Sequence, residues 1–156
     1  MSAGDPRRSA WRLRAGILAV GATLVVACGV ADGLCVDQRP LHVQVIDPAG
    51  TVAAAFCADQ AVTAEERRRG LAGAPPLGPG EGLLLHFPTE GEVCIVNRGV
   101  DFPIDALYAD RDGRVVAVET GIPAGDDDPR CHPDTERVLE VAAGQAPVAP
   151  ARLRVR

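Results

Sequence analysis

Leu41-His42-Val43-Gln44-Val45-Ile46 decides the fold class, because Leu41, Val43 and Val45 alternate with His42 and Gln44. A period of two puts the apolar side chains on one face of a half-buried β strand. Asp47-Pro48-Ala49-Gly50 follows with turn-forming residues, and residues 51–57 supply the returning strand of a hairpin. Working outward, residues 82–87, 93–96, 104–109, 115–120, 137–141 and 151–156 read as further short strands, with Asp110-Arg111-Asp112-Gly113 turning the chain between two of them. His86 interrupts an apolar run and reads as a core or edge residue. The last segment alternates Leu153 and Val155 with Arg152, Arg154 and Arg156, a pattern suited to an edge strand because repeated charge discourages pairing with other chains.

One helix interrupts these strands. Thr63-Ala64-Glu65-Glu66 has the spacing of a capping box, in which the Thr hydroxyl and the Glu carboxylate each satisfy a free backbone N–H. Gly70 is placed to end the helix, and Arg67-Arg68-Arg69 reads as a solvated face rather than an anion site. Eight or so short strands with one short helix predict a mainly β, single-domain β-sandwich or distorted barrel over residues 41–156.

Before this domain lies an address. Arg7, Arg8, Arg12 and Arg14 precede an uncharged run over residues 15–27, the layout of a secretory signal. That run falls short of the roughly 20 residues needed to cross a bilayer as a helix. Leu24-Val25-Val26-Ala27-Cys28 resembles the bacterial lipobox, so residues 1–27 are expected to be removed and Cys28 to carry lipid. Ordinary secretory cleavage is the competing reading, since Val25 and Ala27 also suit it. The Arg7-Arg8 pair has only a poor fit to the twin-arginine signal. Residues 28–40 then form the lipidated end and a tether, in the cell envelope by either route. Gly29 lacks the Asp that often holds lipoproteins in the inner membrane.

Composition excludes more than it names. All 16 basic residues are Arg, and from Cys28 onward 12 Arg face 20 acids, a net charge of −8 that repels phosphate backbones. No nucleic-acid partner is expected. Ser, Lys, Met and Trp all fall before Cys28 or are absent, which removes serine hydrolases and Schiff-base lysine enzymes.

Four cysteines remain after the anchor: Cys35, Cys57, Cys94 and Cys131. In an oxidising envelope they read as two disulfides with three pairings that spacing alone does not separate. Cys94 with Cys131 and Cys35 with Cys57 is taken as the working pairing. No Cys-x-x-Cys pair supports thiol-disulfide exchange chemistry. Asp126-Asp127-Asp128-Pro129-Arg130-Cys131-His132 offers metal-binding side chains without a recognised metal spacing, and reads first as a solvated acidic loop closed by a disulfide.

With these elements in place, residues 61–141 resemble the bacterial and archaeal family catalogued as domain of unknown function 192. The carriers are Glu66-Arg67-Arg68-Arg69-Gly70-Leu71, Glu81-Gly82-Leu83-Leu84-Leu85-His86-Phe87-Pro88, Phe102-Pro103-Ile104-Asp105, Gly113-Arg114-Val115-Val116 and Arg137-Val138-Leu139-Glu140. The resemblance implies a compact β fold, frequent export with lipid anchoring, and no established reaction. The chain departs from the family pattern at Ala72, at Leu83-Leu84-Leu85, and most at Ile95-Val96-Asn97-Arg98, where the family has Phe-Trp-Met and a basic residue. A site lined by those family groups would be lost or rebuilt here. The resemblance also singles out Asp105, which reads first as an acceptor of backbone hydrogen bonds at a turn and second as a binding group.

The expected function is therefore a non-catalytic, lipid-tethered envelope domain, without cofactor, that binds a small ligand, glycan or envelope protein, with Asp105, Arg98 and His132 as candidate ligand-binding residues. The rival reading is a metal-binding protein or hydrolytic enzyme using Asp105, His132 and the acidic loop 126–128.

Overall fold

The computed structural model describes residue 35 and residues 39–156. The expected signal segment, Cys28 and most of the expected tether lie outside these residues. Strands β1 (Leu41–Ile46) and β2 (Val52–Ala61) form the antiparallel hairpin, with Val43 opposite Phe56. Asp47 closes the turn, its carboxylate accepting from the Thr51 N–H at 2.8 Å. Helix α1 (Ala64–Arg69) starts in the expected capping box, with Thr63 Oγ1 accepting from the Glu66 N–H and the Glu66 carboxylate from the Thr63 N–H. Gly70 ends it at a positive φ of 49°, where a side chain would be strained.

Because α1 carries the chain across the sheet, strand β3 (Glu81–Ile95) returns parallel to β2, with Cys57 opposite Glu81. The remaining strands are β4 (Ile104–Ala109), β5 (Val115–Ile122), β6 (Arg130–Ala142) and β7 (Arg152–Val155). They join one sheet in the order β5-β4-β6-β3-β2-β1-β7.

Two expectations are corrected. Residues 82–87 and 93–96 are not two strands but the ends of β3, held together because β6 pairs along its length with register shifts around Gly91. Strand β6 begins seven residues before position 137, so Cys131 and His132 stand on a strand and not at the close of a loop. The last segment is the expected edge strand, β7 standing at the end of the sheet order, and it is tied across to the start of β5. Arg152 bridges Arg114, the Leu153 N–H donates to Gly113 O at 2.7 Å, and the two ends of the sheet meet there. Gly113 allows this approach, since a Cβ on it would lie 2.5 Å from Leu153 O.

The result is a mainly β, single-domain distorted barrel with one short helix, rather than a two-sheet sandwich. Alternation along the strands divides the apolar residues into two clusters. Val43, Val45, Phe56, Leu84, Leu107 and Leu139 pack inside the curl. Leu85, Ile104, Ala106, Tyr108 and Val138 pack on its other face, beneath the chain segments around Leu71, Leu77 and Val100. Both sides of β4, of the start of β3 and of the end of β6 are thus withdrawn from water, which is the main source of stability in a chain with few aromatics.

The structure contains the disulfides Cys35–Cys57 and Cys94–Cys131, the working pairing. Cys94 and Cys131 stand directly opposite each other on β3 and β6. Among the described residues, no helix is long and apolar enough to cross a membrane.

Candidate functional site

A cavity of about 780 Å³ opens between α1, β3 and the loop that leads to β4. Its apolar wall includes Leu71, Leu85, Phe87, Ile95 and Val100, and its polar lining comes from Asn97, Glu140 and four arginines, Arg67, Arg68, Arg69 and Arg98. The size falls within the range of small-molecule sites, roughly 300–1,000 Å³.

Glu140 is the unusual member. Along β6, Leu139 and Val141 point into the barrel, so Glu140 faces outward beside Val138, where exposure would be expected. Helix α1 and the chain after it cover that face, leaving Glu140 only 4% exposed. The covering is close: a Cβ on Gly70 would lie 3.8 Å from a Glu140 carboxylate oxygen. On its other side Gly82 lets β3 approach, since a Cβ there would come within 3.0 Å of Glu140 O. Desolvation pushes the Glu140 carboxyl up to about 8. At neutral pH the group is therefore mainly a neutral acid, able to donate as well as accept a hydrogen bond.

This state has a consequence for stability. Below about pH 4.5, the unfolded value, both folded and unfolded chains hold the proton. Between there and about 8 the folded chain keeps a proton that the unfolded chain releases, so stability falls as pH rises, and the decline ends above about 8. Glu140→Gln should remove a slope on the order of 1 kcal/mol per pH unit in that window. Chemical denaturation of both proteins at pH 5, 6, 7, 8 and 9 checks this. A stability difference that stays constant across the series would contradict a buried, proton-holding Glu140.

Asn97 is the second distinctive group. It is fully buried, and its side-chain N–H groups donate to Phe102 O at 2.9 Å and Pro123 O at 2.8 Å, while its carbonyl oxygen Oδ1 has no partner among the described residues. Ile95, Val96, Asn97 and Arg98, the stretch that departs most from the family pattern, thus forms a wall of the cavity. The arginines are not equivalent. Arg67 donates to Val62 O and His86 O and lies over the Phe87 ring, 5.1 Å from its centre, so it fastens α1 to β3. Arg68 and Arg69 are exposed at the rim. Arg98 pairs with Asp127 at 2.5 Å, with both side chains largely in solvent.

The residues singled out in the sequence are placed differently. Asp105 is 1% exposed and accepts three backbone hydrogen bonds: from Gly121 N–H at 2.8 Å, Gly144 N–H at 2.8 Å and Ala146 N–H at 3.0 Å. These ties hold β4 to the end of β5 and to the chain leaving β6, so Asp105 is a backbone acceptor that joins segments distant in sequence rather than one that closes a local turn. His132 Nε2 lies 2.8 Å from Glu119, and its ring meets Tyr108 edge-on with centres 4.5 Å apart. The Tyr108 hydroxyl donates to Arg130 O at 2.9 Å, and burial pushes its pKa well above the ordinary phenol value, so it holds its proton more tightly.

The acids of the 126–128 loop are engaged as well. Asp126 pairs with Arg130 at 2.6 Å, and Asp127 with Arg98. Of the sequence candidates only Arg98 borders the cavity, and Asp105 and His132 make no contact with each other. Among the described residues, no three His, Cys, Asp or Glu side chains stand together as a group able to hold a metal ion. Glu140 was missed because strand alternation reads it as solvent-facing. Its only sequence signal was its place in Arg137-Val138-Leu139-Glu140, one of the motifs that carry the family resemblance.

A small curled β barrel with a ligand-sized cavity under a capped helix is the class of protein that this fold and site define. The chain belongs to the domain of unknown function 192 family, described as uncharacterised, whose profile matches residues 45–149. That span is wider than the motif-bearing region 61–141 and takes in the end of β1 and all of β2. Two crystal structures share the fold. One, from Sinorhizobium meliloti 1021, is described as a candidate transcription regulator; it is 21% identical, with 74% of this chain and 92% of that chain covered and a TM-score of 0.70. The other, a protein of unknown function from Novosphingobium aromaticivorans DSM 12444, is 24% identical, with coverages of 72% and 83% and a TM-score of 0.67. At these identities the likeness extends to the fold alone. No curated protein matches the chain.

Proposed function

We propose that this chain is a lipid-anchored, non-catalytic binding domain of the cell envelope, and that it holds a small ligand in the cavity between α1, β3 and β6. The observation that carries the reading is Glu140: a buried carboxyl that no described protein group pairs with, bordering a ligand-sized cavity. A polar group withdrawn from water without a partner costs stability, and a bound molecule can supply the missing partner.

The lining favours binding over turnover. Among the described lining residues there is a single carboxyl and no imidazole or hydroxyl, and Cys94 is held in a disulfide. General acid–base or nucleophilic chemistry needs a second group at a fixed distance, and among the described residues none lines the cavity with Glu140. The two disulfides suit an oxidising compartment, and the signal-like segment ending at Cys28 accounts for delivery and anchoring there. The charge of −8 from Cys28 onward argues against a nucleic-acid partner.

Native mass spectrometry of the protein released from its own membranes tests the proposal. The expected species is acylated residues 28–156 with a small molecule retained, and Ala72→Trp, which places an indole in the cavity, should lose that molecule while keeping a native circular dichroism spectrum. Val96→Trp at the exposed rim is the second occluding variant. An unacylated chain would refute the anchor. An empty cavity in the native protein, or full retention in both Trp variants, would refute the binding role.

A further inference from the structure

We infer that the cavity takes a small organic anion whose apolar body contains an amide, of the N-acyl amino acid class. Its carboxylate meets Arg68, Arg69 and Arg98 at the rim, its amide carbonyl accepts from the Glu140 carboxyl, and its chain lies along Leu71, Leu85 and Ile95. The inference rests on the reading of the cavity as a ligand site and deepens it.

Four observations select this class. Beyond the guanidinium that fastens α1, the rim carries Arg68 and Arg69, together with Arg98, whose Nε pairs with Asp127, and planar guanidinium favours a carboxylate. That excess of positive charge disfavours an amine, which an ionised Glu140 alone would otherwise attract. The wall below the rim is apolar and suits an alkyl chain. Between the rim and the apolar wall stands the Glu140 carboxyl, which lines the cavity and is shifted by desolvation alone. An amide answers it, since its C=O is a strong neutral acceptor for the Glu140 proton.

Binding of this kind is coupled to a proton. Tyr108 from β4 lies close enough to Glu140 to feel its charge, while Arg67, Arg68 and Arg69 from α1 and Arg98 from the chain after β3 line the same cavity. Tyr108, its pKa raised by burial, keeps its proton through the range of interest, so Glu140 is the group that changes state near pH 8. Once Glu140 ionises it can no longer donate, and it repels the ligand's carboxylate. Affinity should therefore be level below about pH 8 and fall about tenfold per pH unit above it.

The test uses the full chain in lipid nanodiscs and titration calorimetry with N-octanoylglycine, with empty discs as the blank. Two comparison probes each lack one feature: N-octanoylglycinamide has no charge, and undecanoate has no amide. The expected result is that N-octanoylglycine binds at least tenfold more tightly than either. Its affinity should decline from pH 8 to 10 in the native chain and stay level in Glu140→Gln, whose amide still donates without titrating.

A level profile in the native chain, or equal binding of the glycinamide or of undecanoate, would overturn the inference while leaving the cavity as a site for some other ligand. N-Octanoylglycine bound unchanged by Ala72→Trp and Val96→Trp would show that it sits elsewhere, and the cavity reading would fall with it. No binding of any probe to a native protein that retains its own ligand in the mass spectrum would overturn the ligand class alone.

Discussion

Asp105→Ala should destabilise the domain by about 3 to 5 kcal/mol, among the largest single-residue effects expected in the chain. The carboxylate is 1% exposed and serves three backbone N–H groups on two separate segments, those of Gly121, Gly144 and Ala146. Truncation leaves all three donors without an acceptor in a place water reaches poorly. Asp105→Asn keeps one acceptor oxygen but turns an NH₂ toward at least one of the same donors, so its cost should fall between native and alanine. Denaturant unfolding of the three proteins measures this order. The same variants separate the two readings of Asp105: a binding group would lose ligand with little loss of stability, whereas a structural acceptor loses stability first.

The second large effect is expected at the Cys94–Cys131 bridge. It closes a sequence separation of 37 residues, against 22 for Cys35–Cys57. In the chain-entropy view the longer loop restrains the unfolded state slightly more, by about 3.8 kcal/mol against about 3.4. Position widens the gap. Cys94 and Cys131 secure the far end of the β3–β6 ladder, and Cys94 borders the cavity, whereas Cys35 precedes β1 and ties the incoming chain to β2. Paired alanine replacement of Cys94 and Cys131 should therefore lower both the unfolding midpoint and ligand retention, while paired replacement of Cys35 and Cys57 should lower the midpoint less and leave retention intact. Equal losses from the two pairs, on both measures, would show that the ladder end does not shape the cavity.

Much of the architecture could be read from residues that act locally. The alternation in 41–46, the Asp47-to-Gly50 turn and the Thr63–Glu66 capping box depend on contacts within a few positions, and each occurs as the pattern required. Residues 88–92 and 130–136 could not be read in this way. The first stretch holds Pro88 and Gly91, which mark a break, and the second mixes charge with Pro133. Each is a strand only because the other lies beside it, through register shifts and a positive φ at Asp134.

The candidate site follows the same division. The sequence by itself determined the mainly β class, the helix start, the absence of lysine and confinement of serine to positions 2 and 9, and the membership suggested by five motifs, because all of these reside in residue type and short spacing. Only the tertiary structure decided that the sheet curls until β7 reaches Gly113, that Asp105 is consumed by three backbone donors, and that Glu140 is buried. Alternation along β6 specifies which face a side chain takes. Whether that face meets water depends on α1 and the following chain folding over it, a contact between segments some seventy residues apart that no local pattern records.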